Sequence, residues 1–285
     1  MTVKKPNVLR LLLNHVDAWQ VSFVIATLAV LIHGKITPRY ILLLLAIAAG
    51  YWLAFTVNDY HDAPFDAQDQ AKHQRNFFVR HPISRRQATV FFALGTVALL
   101  LIFAQFGLRG FLVLGVSIFI MWAYSSPPLR FKSRPGIDLL VHALFVETYP
   151  YLITLYLMDV AWLLVDYVIL SITFMASLTA QLEQQLRDYV VDAQTGNTFA
   201  TAVGQRWAAR LLRLLSAALI LTTLFFLLNG TLPLFILPIA VIALPAILHR
   251  FLRRADKPRS ERLVIVSTTA GFFYIMGVFF YFLFA

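Results

Sequence analysis

The sequence contains no cysteine. That excludes a disulfide framework, a thiolate metal site and a thiol nucleophile. Charge is scarce too: only 13% of the 285 residues are Asp, Glu, Lys or Arg. A soluble domain carries roughly twice that share to cover its surface. Acids are the scarcest, 14 against 24 Lys and Arg. No linker, low-complexity tract or soluble appendage interrupts the chain, which reads as one transmembrane domain over residues 1–285.

Apolar sequence fills the space that charge leaves. Hydrophobic residues make up 60% of the chain, with 25 Phe, 11 Tyr and 5 Trp among them. A helix crossing the hydrocarbon core needs about 20 mostly apolar residues. Nine stretches qualify as spans: 17–32, 40–57, 87–106, 110–124, 139–158, 162–180, 208–228, 232–247 and 263–285. The expected fold class is all-α, a multi-spanning membrane protein. No cleavable signal peptide is expected, because no small-residue cleavage pattern follows a short apolar core.

The net charge of +10 would suggest nucleic acid in a soluble protein. Here 21 of the 24 basic residues lie at the N-terminus or in alternate loops with their adjoining helix ends; only Lys35, Arg39 and Arg109 lie between. The positive-inside effect accounts for that asymmetry, so nucleic acid is not the expected partner; the lipid bilayer is. The pattern puts the N-terminus and the long loops in the cytoplasm and the C-terminus outside. A cell inner membrane is the expected location.

The few acids are grouped. Asn58, Asp59, Asp62, Asp66 and Asp69 follow the second span; Glu183, Asp188 and Asp192 follow the sixth. Asn58, Asp62 and Asp66 are spaced by four, as are Asp188 and Asp192, and residues i and i+4 share a helix face. Two such carboxylate sets form a hard oxygen site suited to Mg²⁺, which takes one or two carboxylates plus waters and substrate phosphates. Each set read alone is also compatible with a solvated helix end. Pro64 falls inside the first set, and the helix is expected to kink or end near His61, with Asp66 on the following loop.

These residues carry a family resemblance. Residues 58–66, Asn-Asp-Tyr-His-Asp-Ala-Pro-Phe-Asp, resemble the first acidic motif of the UbiA superfamily of intramembrane prenyltransferases. Arg187-Asp188-Tyr189-Val190-Val191-Asp192, followed by Gly196, Thr198 and Gly204, is similar to the second. Tyr124-Ser125-Ser126-Pro127-Pro128-Leu129-Arg130-Phe131-Lys132 resembles the segment after the fourth span. The resemblance implies nine helices around a central cavity, Mg²⁺, a prenyl diphosphate donor and a lipophilic acceptor. It implies that Asn58, Asp62 and Asp66 hold one metal and Asp188 and Asp192 another. It implies diphosphate contacts from Arg130, Lys132, Lys72 and Arg75, with Tyr124 beside them. The catalytic set is then Asp62, Asp66, Asp188 and Asp192. Two departures stand out: His15-Val16-Asp17-Ala18 replaces an Arg-Pro pair, and Lys72-His73-Gln74-Arg75 keeps the loop's basic residues only approximately.

Glu147, within the fifth span, is an intramembrane acid and hence a candidate functional group. It is expected roughly 15 Å below the cytoplasmic mouth, where it would serve the acceptor. His142 reads as structural; Gln181, Gln184 and Gln185 read equally as helix-end polarity or as contacts to metal-bound water. An ion-coupled transporter is the competing class, since it too predicts intramembrane acids, but at the bilayer midplane rather than at cytoplasmic helix ends. A purely structural role leaves both acidic sets unexplained. The acceptor classes implied are quinone-precursor aromatics, chlorophyll-type molecules and carotenoids.

Overall fold

The computed structural model describes residues 11, 13, 15–67, 73, 76–195, 197–252 and 261–284. Among these, every regular element is helical. The long helices are α1 (Val16–Ile32), α2 (Pro38–Asp66), α3 (Arg85–Phe103), α4 (Gly107–Ser125), α5 (Ile137–Met158), α6 (Leu164–Arg187), α7 (Gln205–Leu228), α8 (Leu237–Leu252) and α9 (Glu261–Phe284). Shorter helical turns sit in the connections after α2, α4 and α6: Phe77–Arg80, Phe131–Ser133, Tyr189–Thr195 and Phe199–Val203. Their length and apolarity make this an integral membrane protein.

Seven stretches of the described residues are long and apolar enough to cross a membrane, against the nine expected. Two local features account for the difference. Arg85–Ser125 forms one helical run of 41 residues, yet it folds back on itself between α3 and α4. The turn is at Gly107, whose φ of 59° and ψ of −143° lie outside helical space. A Cβ on Gly110 would stand 1.8 Å from the Phe103 carbonyl oxygen, so only glycine permits the approach. The other shortfall is α1, which has 17 residues. It is apolar all round and packs against α2, α5 and α9, as a helix in the middle of a bundle does. Ala26 and Ala29 are fully buried there, and Thr27 satisfies its hydroxyl on the Phe23 carbonyl at 2.7 Å.

Pro64 does not break α2 at His61; the helix runs on to Asp66, correcting the expectation. Proline in the last turn costs one backbone hydrogen bond, and the helix resumes with Ala67 N–H donating to the Ala63 carbonyl at 3.0 Å. Asn76 reinforces this turn, its Nδ2 donating to the Asp59 carbonyl and to Asp66 Oδ2, both at 2.8 Å. The acidic face therefore stays helical.

Inside α5 the segment Ala143–Thr148 is π-helical. Pro150 follows: it cannot donate to the Val146 carbonyl and crowds it, and the wider turn relieves that conflict. Thr148 Oγ1 bonds the Ala143 carbonyl at 2.8 Å across the turn. On α6, Ser177 Oγ donates to the His142 carbonyl at 3.1 Å and fixes α5 against α6.

Candidate active site

The first acidic motif rides on the end of α2, which outruns its apolar span. The second follows the end of α6, with Asp188 as its C-cap and Asp192 in the separate short helix Tyr189–Thr195, so these two acids do not share one continuous helix as expected. α2 continues to Asp66, past the expected limit at Val57, and α6 continues to Arg187, past Ala180. Both ends open on one cavity of about 1050 Å³. Its polar mouth is lined by Asn58, Asp62, Asp66, Asp188 and Asp192, with Tyr124, Ser125, Arg130 and Lys132 from the segment after α4. Its lower wall is apolar or aromatic: Ala46, Gly50, Tyr51, Leu99, Phe103, Leu114, Phe145, Tyr149 and Ile153. Eight of the sequence-derived site residues thus line one chamber.

One carboxylate of the first motif is already paired with a cation. Lys132 Nζ ion-pairs with Asp62 and donates to Asn58 Oδ1 at 3.1 Å. Ser125 Oγ donates to the same Asn58 oxygen at 2.7 Å, and Asn58 Nδ2 donates to Asp62 Oδ2 at 3.0 Å. Burial holds the Lys132 ammonium below the ordinary lysine pKa, a fall that Asp62 partly opposes. Asp59 takes no part in this face. Its carboxylate meets His15 Nε2 at 2.9 Å instead, so the departure at residues 15–18 still anchors α1 to the first motif.

Asp188 is held by Arg187 through two contacts, 2.7 Å from Nε and 2.8 Å from Nη2. The same guanidinium reaches Glu261 at the start of α9 at 2.6 Å. One turn back on α6, Glu183 is 1% exposed and meets Arg250 Nε of α8 at 3.2 Å. Losing one partner of such a buried pair costs about 3–5 kcal/mol. Asp138 and Gln185 tie α5 to α6: Gln185 Nε2 donates to Asp138 Oδ2 at 2.6 Å, and the Phe199 and Ala200 amides bond the two side chains at 2.9 and 3.0 Å. Thr198, next to them, lines the cavity.

Two expectations fare differently. Glu147 lies in the π-helical segment, half-buried, and is not among the residues lining the cavity. In the same segment the Phe145 carbonyl accepts from the Tyr51 hydroxyl of α2. Lys72 and Arg75, with Asp69, lie outside the described residues. Sequence reasoning missed Asn76, which secures Asp66, and Ser125, which secures Asn58. Asn76 had a local signal: its Oδ1 caps the turn Phe77–Arg80, accepting from Phe78 N at 2.9 Å.

The model of the UbiA prenyltransferase family matches residues 21–283. The chain belongs to that family. Its architecture is similar to that of a UbiA homologue from Archaeoglobus fulgidus bound to GPP and Mg²⁺, with a TM-score of 0.73, 21% identity, and coverage of 95% of this chain and 98% of that one. The same homologue bound to DMAPP and Mg²⁺ gives a TM-score of 0.70 at 22% identity, with the same coverage. An apo UbiA homologue from Aeropyrum pernix K1 gives 0.69 at 14% identity, covering 93% of this chain and 98% of that one. Identities this low speak for the UbiA fold rather than for a shared substrate. A search of curated protein sequences returns no match.

Among the described residues, no three acids or histidines converge on one point as a preformed metal cage. The arrangement fits Mg²⁺ all the same. That ion typically takes one or two carboxylates and fills its remaining positions with waters and substrate phosphates. Two carboxylate sets lining one mouth, each offering oxygen donors only, match that habit.

Proposed function

We propose that this UbiA-family membrane prenyltransferase takes its prenyl group from a prenyl diphosphate and passes it to a lipophilic acceptor. The observation that carries this reading is the single cavity, which has both acidic sets at its mouth and an apolar, aromatic interior. A diphosphate needs the first and a prenyl chain the second. The solved homologue bound to GPP and Mg²⁺ has the same fold, which supports the reading.

Asn58, Asp62 and Asp66 would hold one Mg²⁺, and Asp188 and Asp192 another. Bound there, the metal supplies Lewis-acid neutralisation of the departing diphosphate. Lys132 and Arg130 add fixed positive charge on the leaving-group side. As the carbon–oxygen bond lengthens, positive charge grows on the prenyl carbons. The ring faces of Tyr51, Phe145 and Tyr149 in the cavity wall are suited to stabilise it, each by about 0.5–2 kcal/mol where well placed. The apolar wall excludes water, which would otherwise capture the cation. The acceptor falls in the quinone-precursor, chlorophyll-type or carotenoid classes.

Purified protein in detergent is expected to release diphosphate from a prenyl diphosphate with Mg²⁺ or Mn²⁺ and to stop when a chelator is added. Undiminished release in excess chelator would refute the metal-assisted reading. Transport of a solute with no release of diphosphate would favour the carrier class.

The basic-residue asymmetry supports an orientation with the cavity mouth in the cytoplasm. Reporter fusions after Ser133 are expected to report cytoplasm, and fusions at the end of α9 the opposite side. The same side for both would mean that the helices do not alternate as proposed.

A further inference from the structure

The depth of the cavity carries information about the donor that the acidic motifs do not. This inference rests on the prenyl diphosphate reading above. Asp62, Gly50 and Ala46 all line the same cavity from α2. Ala46 lies 16 residues before Asp62, and at about 1.5 Å per residue the two are about 24 Å apart along the helix axis. Phe103, the last residue of α3, and Leu114 on α4 line the same cavity, and each is only 5% exposed.

An extended polypeptide advances at most about 3.5 Å over three backbone bonds, or about 1.2 Å per bond. By the same measure a four-bond isoprene repeat takes about 4.7 Å, so a depth of about 24 Å spans about five repeats. The diphosphate and the carbon bearing it occupy the top of that length.

We propose that the cavity is built for a donor of four isoprene units, a geranylgeranyl diphosphate, and that Phe103 and Ala46 set the upper limit. One small residue keeps the shaft open. Gly50 has no side chain, and a Cβ added there would meet Leu99 Cδ1 at an ordinary 3.7 Å. Its backbone therefore tolerates a larger residue, whose remaining atoms would fill the shaft. Gly50 lies 12 residues, about 18 Å, below Asp62, where the third unit would end and the fourth begin.

The test is direct binding, which requires no knowledge of the acceptor. Non-hydrolysable thiolodiphosphate analogues of the dimethylallyl, geranyl, farnesyl, geranylgeranyl and five-unit geranylfarnesyl donors are titrated calorimetrically into the full chain in detergent with Mg²⁺. Affinity is expected to rise by about tenfold per added unit up to geranylgeranyl, since each unit buries further apolar surface, and then to fall. In Gly50→Leu the gain from the fourth unit should vanish. In Phe103→Ala the five-unit donor should bind at least about as well as the four-unit donor, a gain that misfolding cannot mimic. Binding that reaches its plateau at geranyl, or a Phe103→Ala profile identical to the parent's, would overturn the length assignment and leave the prenyl diphosphate reading intact. No binding of any analogue would overturn both.

Discussion

Asp62→Ala and Asp188→Ala are each expected to cut diphosphate release at saturating Mg²⁺ by about a thousandfold, with little change in melting temperature. Each removes a carboxylate from the cavity mouth, where the proposed mechanism neutralises charge on the leaving group; a single preorganised electrostatic contact of that kind is typically worth 10²–10³ in rate, and a metal held there would add to it. Stability should change little because neither side chain is part of the packed core. The side chains of Asp62 and Asp188 are 23% and 21% exposed, and their partners Lys132 and Arg187 keep other contacts. Asp59 supplies the control: it belongs to the same motif by sequence but pairs with His15 and does not line the cavity. Asp59→Asn should cost less than about tenfold. If all three variants behave alike, the acids act through folding or solvation of the helix end, and the site assignment fails.

That contrast shows how far the sequence could be read. The spacing of Asn58, Asp62 and Asp66 was enough to place them on one face, because a four-residue repeat is a property of any helix. It could not show that α2 would carry this face past Pro64. The stabilising partner, Asn76, comes from a separate turn ten residues on; its capping of that turn has a local signal, but its reach to Asp66 has none. The spans were legible because about 20 apolar residues are hard to place elsewhere. The α3–α4 reversal was legible only in outline, since it depends on one glycine at positive φ and on the contact of Gly110 with a carbonyl seven residues back. Glu147 was legible as an acid within a span; the π-helical turn that carries it before Pro150 was not, because a 3.6-residue period does not foresee it. The cavity wall, drawn from α2, α3 and α4 together, has no signature in any one segment.

Lys132→Met is expected to move two quantities in opposite directions. In the protein as folded, the Lys132 ammonium occupies Asp62 and Asn58, two of the oxygen groups assigned to the metal. A metal arriving there competes with a cation already in place. Without that cation the carboxylate is unpaired, and divalent metal should bind more tightly; half-saturation by Mn²⁺, followed directly by electron paramagnetic resonance, should fall several-fold. Turnover should fall by about 10²–10³ all the same if, as proposed, the ammonium stabilises charge on the departing phosphates. Burial makes this double role possible. A surface lysine would be too well screened to matter to either partner, whereas this side chain is 16% exposed and feels both. Lys132→Arg keeps the charge but replaces a compact ammonium by a planar fork, so it should hold metal affinity near the parent value and restore only part of the rate. Parallel losses of metal affinity and turnover in Lys132→Met would mean that the lysine merely braces the first motif, and the diphosphate would then have to draw its cationic contacts from the metal, Arg130 and the expected pair Lys72 and Arg75.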